Sequence, residues 1–335
     1  LAAVSIVVGL LSFGTSVTAS ATTTPTKIML YGDSITQGTS AHYTWRYRLW
    51  QGLESGGNSV DFVGPMTTVF TYPGYSVKST EYRDPNFDTA HAAFAGMTLT
   101  KPVWTIAQLA GAYHPNVIVG LIGFNDLRTS AATIPQLIDT WRSQIAQAQS
   151  ADPGVSIVLA EYGETWGTGI SDYDAALTSL AAELDQPGAR VIATGVPQLN
   201  QKTDTFDGIH LTTSGEKIEA ASVADALSQL GLSSGATPAD ASVTPGGWAP
   251  TPSLTATASS GISVSWSSVD YASSMDIVAQ DVATGGYGMK RYVTGTSATI
   301  GGQPGHTYKV WLFPVQGWWD IGTYSAPVTI TVPTS

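Results

Sequence analysis

No cysteine occurs among the 335 residues of this sequence, which excludes a disulfide scaffold, a thiolate nucleophile and every thiolate metal site. Charge is scarce as well: Asp, Glu, Lys and Arg make up 12% of the chain, and 25 acidic residues outnumber 14 basic ones. With no basic block, a nucleic-acid partner is not expected, because phosphates require clustered positive charge. The net charge of −11 also disfavours an anionic membrane surface. Long apolar runs are lacking too. The one candidate, residues 1–11, gives way to Gly, Ser and Thr well short of the about 20 residues a span needs, so no stable membrane insertion is expected. That run reads as the core of a secretory signal occupying residues 1–21, with Ala19-Ser20-Ala21 as its small-x-small cleavage site. The alternative is a buried N-terminal strand or helix. An exported chain without disulfides draws its stability from core size and packing, which this length allows.

What is present divides into two patterns. Up to Leu232, short apolar runs bounded by Gly, Pro or Asn alternate with amphipathic stretches. The runs are KIMLYG (27–32), VDFVG (60–64), NVIVGLIG (116–123), VSIVLAEY (155–162) and ARVIATG (189–195). Several are apolar almost throughout, as strands buried on both faces are. Between them TWRYRLWQGLESG, TIAQLAGAY, TIPQLIDTWRSQIAQAQS, SDYDAALTSLAAELDQ and TTSGEKIEAASVADALSQL read as helices, with Ser171 and Asp174 as a weak cap signal. This alternation predicts a parallel sheet covered on both faces, with its site on loops leaving the C-terminal ends of strands. Residues 233–253 are rich in Ser, Pro, Gly and Ala and read as a linker. From 254 to 335, period-two and β-branched runs separated by turn residues predict a small antiparallel β-sandwich.

Three places carry candidate chemistry. KIMLYG runs into Gly32-Asp33-Ser34-Ile35-Thr36, where Ser34 is either a helix N-cap or a nucleophile facing a cleft. Asp207-Gly208-Ile209-His210 precedes a helix; a carboxylate three residues before an imidazole can fix its tautomer while the other ring nitrogen faces a hydroxyl. Ile122-Gly123-Phe124-Asn125-Asp126 ends a buried strand in a carboxamide and a carboxylate, which either stabilise an oxyanion or make an Asx-turn. His42, His91 and His114 lie among aromatics without metal-ligand spacing, so no metal is expected.

Taken together, GDSIT (32–36), the glycine of HAAFAG (91–96), GFND (123–126) and DGIH (207–210) resemble, in order and spacing, the blocks of the GDSL or SGNH hydrolases, over residues 27–230. The resemblance implies a three-layer α/β/α flavodoxin-like domain over residues 22–232. It implies a serine esterase without cofactor, with Ser34 as nucleophile, His210 as base and Asp207 orienting it. The oxyanion hole would comprise the Ser34 N–H, the Gly96 N–H and the Asn125 side chain, with Asp33 and Asp126 in supporting roles. VDFVG, the spacing from His91 to Gly96 and the WRYRLW helix are similar to secreted acetyl xylan esterase-type carbohydrate esterases, implying an acetylated polysaccharide as partner. Where such enzymes commonly read HEGHSG this chain has HAAFAG, and Phe124 stands where a small residue is usual. Both changes make the mouth more apolar and leave a lipase- or lactonase-like activity on apolar esters as the rival.

Residues 65–95 form a long aromatic-rich loop, and loops of this length in compact domains are usually functional or disordered. Phe70, Tyr72, Tyr75, Tyr82 and Phe87 are candidates for a lid. His91, Phe94, Phe124 and Trp166 are candidates for a substrate wall. The C-terminal segment resembles a fibronectin type III domain, which implies that Trp266 and Tyr308 pack its core. Trp318 and Trp319 stack on a sugar or serve as packing and domain contact. A noncatalytic secreted carbohydrate-binding or adhesion protein is the alternative from another functional class. Nothing in the sequence sets an oligomeric state.

Overall fold

The computed structural model describes residues 24–39, 43–70, 82, 84, 86–163, 169–205, 208–235, 253–257, 261–268, 272, 274–316, 319–320 and 325–334. The proposed signal segment therefore lies outside the described residues. In chain order the first part consists of β1 (Thr26–Gly32), α1 (Ser34–Gln37), α2 (Trp45–Ser55), β2 (Val60–Phe62), β3 (Ala92–Ala93), α3 (Ile106–Tyr113), β4 (Val117–Leu121), α4 (Phe124–Arg128), α5 (Ile134–Ala151), β5 (Ser156–Leu159), α6 (Ile170–Leu184), β6 (Val191–Ala193), α7 (Gln201–Asp204) and α8 (Thr213–Ser228).

The sheet runs β2-β1-β4-β5-β6, wholly parallel. β2 pairs with the first half of β1, and β3 takes the same edge of β1 near its end, at Tyr31↔Ala92 and Gly32↔Ala93. Counted as one position, β2 and β3 give the order 2-1-3-4-5 of a doubly wound sheet, whose switch point lies between β1 and β4. The strands are apolar on both faces because both are covered: Ile28, Met29, Leu30, Ile118, Val119, Leu121, Ile157, Val158 and Leu159 are fully buried. α2 packs against α8, while α3, α5 and α6 pack together, giving the three-layer α/β/α arrangement. Helix starts are set locally. Thr105 with Gln108 and Thr133 with Gln136 form capping boxes at α3 and α5, satisfying backbone N–H groups that a helix start leaves unpaired. The cap signal at Ser171 does not operate; α6 starts after Gly169. Asp174 is instead buried and accepts the backbone N–H groups of Tyr162 and Gly163, each at 3.0 Å, fastening the chain beyond β5. The first unit also continues three residues into the compositional linker, where Gly235 N–H donates to Gly52 O at 2.8 Å and Asn58 Nδ2 donates to Ser233 O.

The second part contains β7 (Ser253–Thr257), β8 (Gly261–Ser265), β9 (Ser274–Asp281), β10 (Tyr287–Val293), β11 (Ser297–Ile300), β12 (Thr307–Gln316), β13 (Trp319–Asp320) and β14 (Val328–Thr331). One antiparallel sheet runs β11-β8-β7; the other runs β10-β9-β12-β13, with β14 also on β12. Ile262 and Val264 from the first sheet share a core with Met275, Ile277, Val310 and Leu312 from the second, so the two sheets form a sandwich. Trp266 and Tyr308 lie in this core, and the Tyr308 hydroxyl accepts the Gln303 N–H at 3.0 Å, a tyrosine corner that closes the strand entry. Trp318 and the side chain of Trp319 lie outside the described residues.

Glu219 on α8 is wholly buried, and neither of its carboxylate oxygens has a hydrogen-bond partner among the described residues. Burial, then the neighbouring charges of Asp174 and Glu161, push its pKa up from 4.5 to about 8, and burial pushes Glu161 up to about 7. The folded chain thus keeps protons that the unfolded chain loses from about pH 4.5 upward. Stability is full at acid pH and falls as pH rises through the folded value, by at most about 1.4 kcal/mol per pH unit for each group. In urea unfolding at pH 5, 6.5 and 8, the stability of the wild type relative to Glu219→Gln is expected to fall as pH rises, a difference that cancels the contributions of the other buried groups; a difference that stays constant or rises over the interval would contradict the assignment.

Candidate active site

The β1–β4 register pairs Gly32 with Leu121, so the chain leaves both strands at the same end of the sheet. From β1 it passes through Asp33 into α1, of which Ser34 is the first residue. The N-cap is Asp33, not Ser34: its Oδ1 accepts the Ile35 N–H at 3.0 Å. Ser34 is thereby left free of capping duty, and His210 Nε2 lies 2.9 Å from its Oγ. The loop bearing His210 is pinned at its base by the bridge Thr205↔Leu211 and by Thr212 N–H donating to Asp204 O at 2.9 Å. Asp207, read as the orienting carboxylate, lies outside the described residues.

From β4 the chain passes through Gly123 into α4, which carries Asn125 and Asp126. Gly123 has φ +121°, and a Cβ there would sit 2.5 Å from the Tyr173 hydroxyl, so this tight exit requires glycine. Asn125 makes no Asx-turn. Its Nδ2 donates to Asp33 Oδ2 and to Met97 O, both at 3.1 Å, bridging the ends of β1 and β4. Asp126 is buried and fully engaged, accepting Leu99 N–H at 2.7 Å, Thr100 N–H at 3.1 Å and the Thr100 hydroxyl at 2.6 Å. Gly96 lies in the turn closed by Met97 N–H to Phe94 O at 2.9 Å, at the position with φ +78° that a type II turn reserves for glycine. Gly96 is exposed, and among the described residues neither its N–H nor that of Ser34 is spent on another protein group. Two uncommitted backbone donors and one carboxamide therefore flank the serine–histidine pair.

The electrostatics follow from burial. Asp33 is wholly buried, which pushes its carboxyl up to about 7; the Asp126 charge adds to the rise, while the Ile35 N–H and His210 oppose it. His91 is not a wall residue. It is fully buried, with Nδ1 accepting the Ala93 N–H at 3.1 Å and Nε2 facing Thr68 O at 2.9 Å, so the ring is neutral with its proton on Nε2. Burial, then the Arg46 charge, hold its pKa well below the usual range. Phe124 is likewise drawn into the core, with 5% exposure and its ring 6.0 Å from that of Tyr162, and does not form an open apolar mouth. Phe94 is half-buried against the core, with its N–H donating to Gly32 O at 3.0 Å. Trp166, Tyr72 and Tyr75 lie outside the described residues. Of the other lid candidates, Phe87 is core, Tyr82 accepts from Arg46, and Phe70 is buried with its ring 5.9 Å from that of His210. Among the described residues no group of three His, Asp or Glu could hold a metal ion, and no helix is long and apolar enough to cross a membrane.

Two supporting residues escaped the sequence reading. Arg46, fully buried, donates to Thr36 O at 2.7 Å, Gln37 O at 3.1 Å and Thr89 O at 3.2 Å, clamping the backbone of α1. Gln37, also buried, accepts the Ala95 N–H at 2.8 Å and donates to Thr68 O at 3.2 Å, tying α1 to the Gly96 turn. No local pattern marks them: α1 also carries Ser34 and Thr36, and α2 also carries Arg48, Gln51 and Glu54.

No family model and no curated protein matches the chain. Among solved structures it is similar to an acetyl esterase mutant crystallised with acetate ion, at 22% identity and TM-score 0.51, over 61% of this chain and 97% of that one. It is similar to a family 3 carbohydrate esterase from Talaromyces cellulolyticus at 23% identity and TM-score 0.51, over 61% and 97%. A family 3 carbohydrate esterase from Clostridium thermocellum aligns at 25% identity and TM-score 0.51, over 62% and 97%. The chain thus shares the three-layer fold of these esterases and spans nearly the whole of each.

Replacing Gln37 with Ala strands the Ala95 N–H, at about 1–3 kcal/mol if water does not reach it, while the Thr68 carbonyl keeps the His91 Nε2–H. The expected outcome is a lowered Tm and a fall of roughly tenfold in kcat for ester hydrolysis with KM little changed, since the turn that presents the Gly96 N–H beside α1 loosens. Equal kcat in the variant would show that Gln37 does not position this turn.

Proposed function

We propose that this chain hydrolyses carboxylic esters through an acyl-enzyme on Ser34. The observation that carries this reading is the 2.9 Å contact between His210 Nε2 and Ser34 Oγ at the switch point of a parallel sheet. His210 takes the hydroxyl proton as Ser34 Oγ attacks the ester carbonyl. The negative charge that develops on the carbonyl oxygen is met by the Ser34 and Gly96 N–H groups and by Asn125. Both hydrogens of Asn125 Nδ2 already have acceptors, Asp33 and Met97 O; an oxyanion attracts the second more strongly than a neutral carbonyl does. His210 then protonates the departing alcohol, and water activated by the same imidazole releases the acid. Asp207 is assigned to hold His210 by its place in DGIH, and Asp33 and Asp126 to fix the two strand exits. No cofactor takes part in this scheme.

The substrate class we favour is a short acyl ester on carbohydrate. The crevice beside Ser34 and His210, walled by Ile35, Gly38, Thr39, Thr44, Leu211 and Glu216, has a volume of only about 20 Å³ and a partly polar lining, neither of which suits a long apolar chain. The similar structures include an acetyl esterase and carbohydrate esterases, which agrees with this choice. We further assign residues 1–21 as an export signal, 22–232 as the SGNH-type hydrolase domain, 233–253 as the linker and 254–335 as a fibronectin type III-like sandwich.

Ser34→Ala is expected to lower hydrolysis of p-nitrophenyl acetate at least a thousandfold while circular dichroism and Tm are retained. Undiminished activity would remove Ser34 from the mechanism. Across a series of p-nitrophenyl esters, activity is expected to fall steeply beyond short acyl chains, with acetate released from acetylated xylan. Preference for long chains, with no release from the polysaccharide, would favour the apolar-ester reading.

A further inference from the structure

The C-terminal sandwich has a second surface that the hydrolytic reading leaves unused. In the sheet β10-β9-β12, Ile277 and Ala279 of β9 and Tyr308, Val310 and Leu312 of β12 face the core. By the two-residue period of a strand, Val278 and Gln280, Lys309 and Trp311, and Tyr287 and Met289 of β10 share the opposite, outer face. The register sets them in two rows. Met289, Val278 and Trp311 lie side by side, and Tyr287, Gln280, Lys309 and Thr329 form the next row. Tyr287 and Trp311 converge diagonally over Val278, with ring centroids 6.4 Å apart and planes 31° from parallel. Val278, Tyr287, Gly288, Met289 and Trp311 line an open cleft of about 440 Å³.

Packing does not account for this arrangement. Tyr287 is 69% exposed and Met289 54%, whereas the large apolar residues of the sandwich core are covered. Exposed apolar side chains gathered in one cleft mark a binding surface. The occupant is constrained by size and chemistry. Five lining residues fall far short of the 20–30 per side, roughly 800 Å², that a specific protein interface uses, so a second copy or a protein partner is a poor fit. A sugar ring suits it better, because it offers an apolar C–H face to the tilted aromatic rings and hydroxyls around its rim. Gln280, Lys309 and Thr329 supply hydrogen-bonding groups in the row beside the rings.

The geometry points to a carbohydrate-binding site on the outer face of β10-β9-β12, in which Tyr287 and Trp311 stack on a pyranose and the Gln280–Lys309–Thr329 row bonds its hydroxyls. The site is separate from Ser34 and does not depend on the ester chemistry assigned there.

Affinity electrophoresis of the full chain through gels containing soluble xylan, with hydroxyethylcellulose in parallel, tests it. Retardation by at least one polysaccharide is expected, weakened tenfold or more in Tyr287→Ala and in Trp311→Ala. Hydrolysis of p-nitrophenyl acetate and Tm should stay at wild-type values in the exposed-site variant Tyr287→Ala. Ser34→Ala should be retarded like the wild type, which separates failure of this site from failure of the hydrolytic reading. Absence of retardation in both gels, or retardation unchanged in Tyr287→Ala, would overturn the proposal. So would concentration-dependent dimerisation on gel filtration that Tyr287→Ala abolishes.

Discussion

The in-register pairing of β1 with β4, from Ile28↔Val117 to Gly32↔Leu121, is the constraint on which the candidate site depends. It makes two distant chain segments leave the sheet at adjacent points, one carrying Asp33 and Ser34 and the other Asn125 and Asp126. The Asn125 Nδ2 bond to Asp33 Oδ2 then joins the two exits directly. Because helices cover both faces of the sheet, its C-terminal edge is the place where polar groups meet solvent without interrupting the core. Fold and site position are consequences of the same burial.

The low charge content takes on meaning once charges are located. Several of the ionisable groups are inside: Asp33, Arg46, Arg48, Asp126, Glu161, Asp174, Glu216 and Glu219 are buried. Most are held by backbone. Arg46 donates to three carbonyls, Asp126 accepts two backbone N–H groups and Asp174 two more. Such bonds fix loops as firmly as secondary structure does, because breaking one leaves a buried group unsatisfied. Asp33 and Glu219 show the electrostatic cost, each with its carboxyl pushed up by burial.

The strands of the parallel sheet were legible because burial on both faces leaves an uninterrupted apolar run, and the helices because their polar faces recur with helical period. The two-residue strand β3 was not, since Ala92 and Ala93 owe their extension to the edge of β1 rather than to any pattern of their own. Ser34, Asn125 and His210 could be named from short motifs at strand and helix boundaries, and the structure gathers them. Misreadings came from side chains whose direction a sequence does not encode. His91 looked like a wall residue but turns inward to two backbone partners, and Phe124 follows α4 into the core. Arg46 and Gln37 were invisible as site supports because their partners are backbone atoms many residues away. The cleft at Tyr287 and Trp311 was hidden for a related reason: alternation identifies two faces, but only the paired register shows which aromatic groups converge across strands.

The central claim is that Ser34 is the group acylated during turnover. Incubation with a p-nitrophenyl alkylphosphonate, followed by peptide mass mapping, tests it without relying on a variant. The account predicts one covalent phosphonyl adduct per chain, on the peptide containing Ser34, formed in step with loss of ester hydrolysis. Modification of a different residue in step with that loss, or full activity with Ser34 modified, would contradict it.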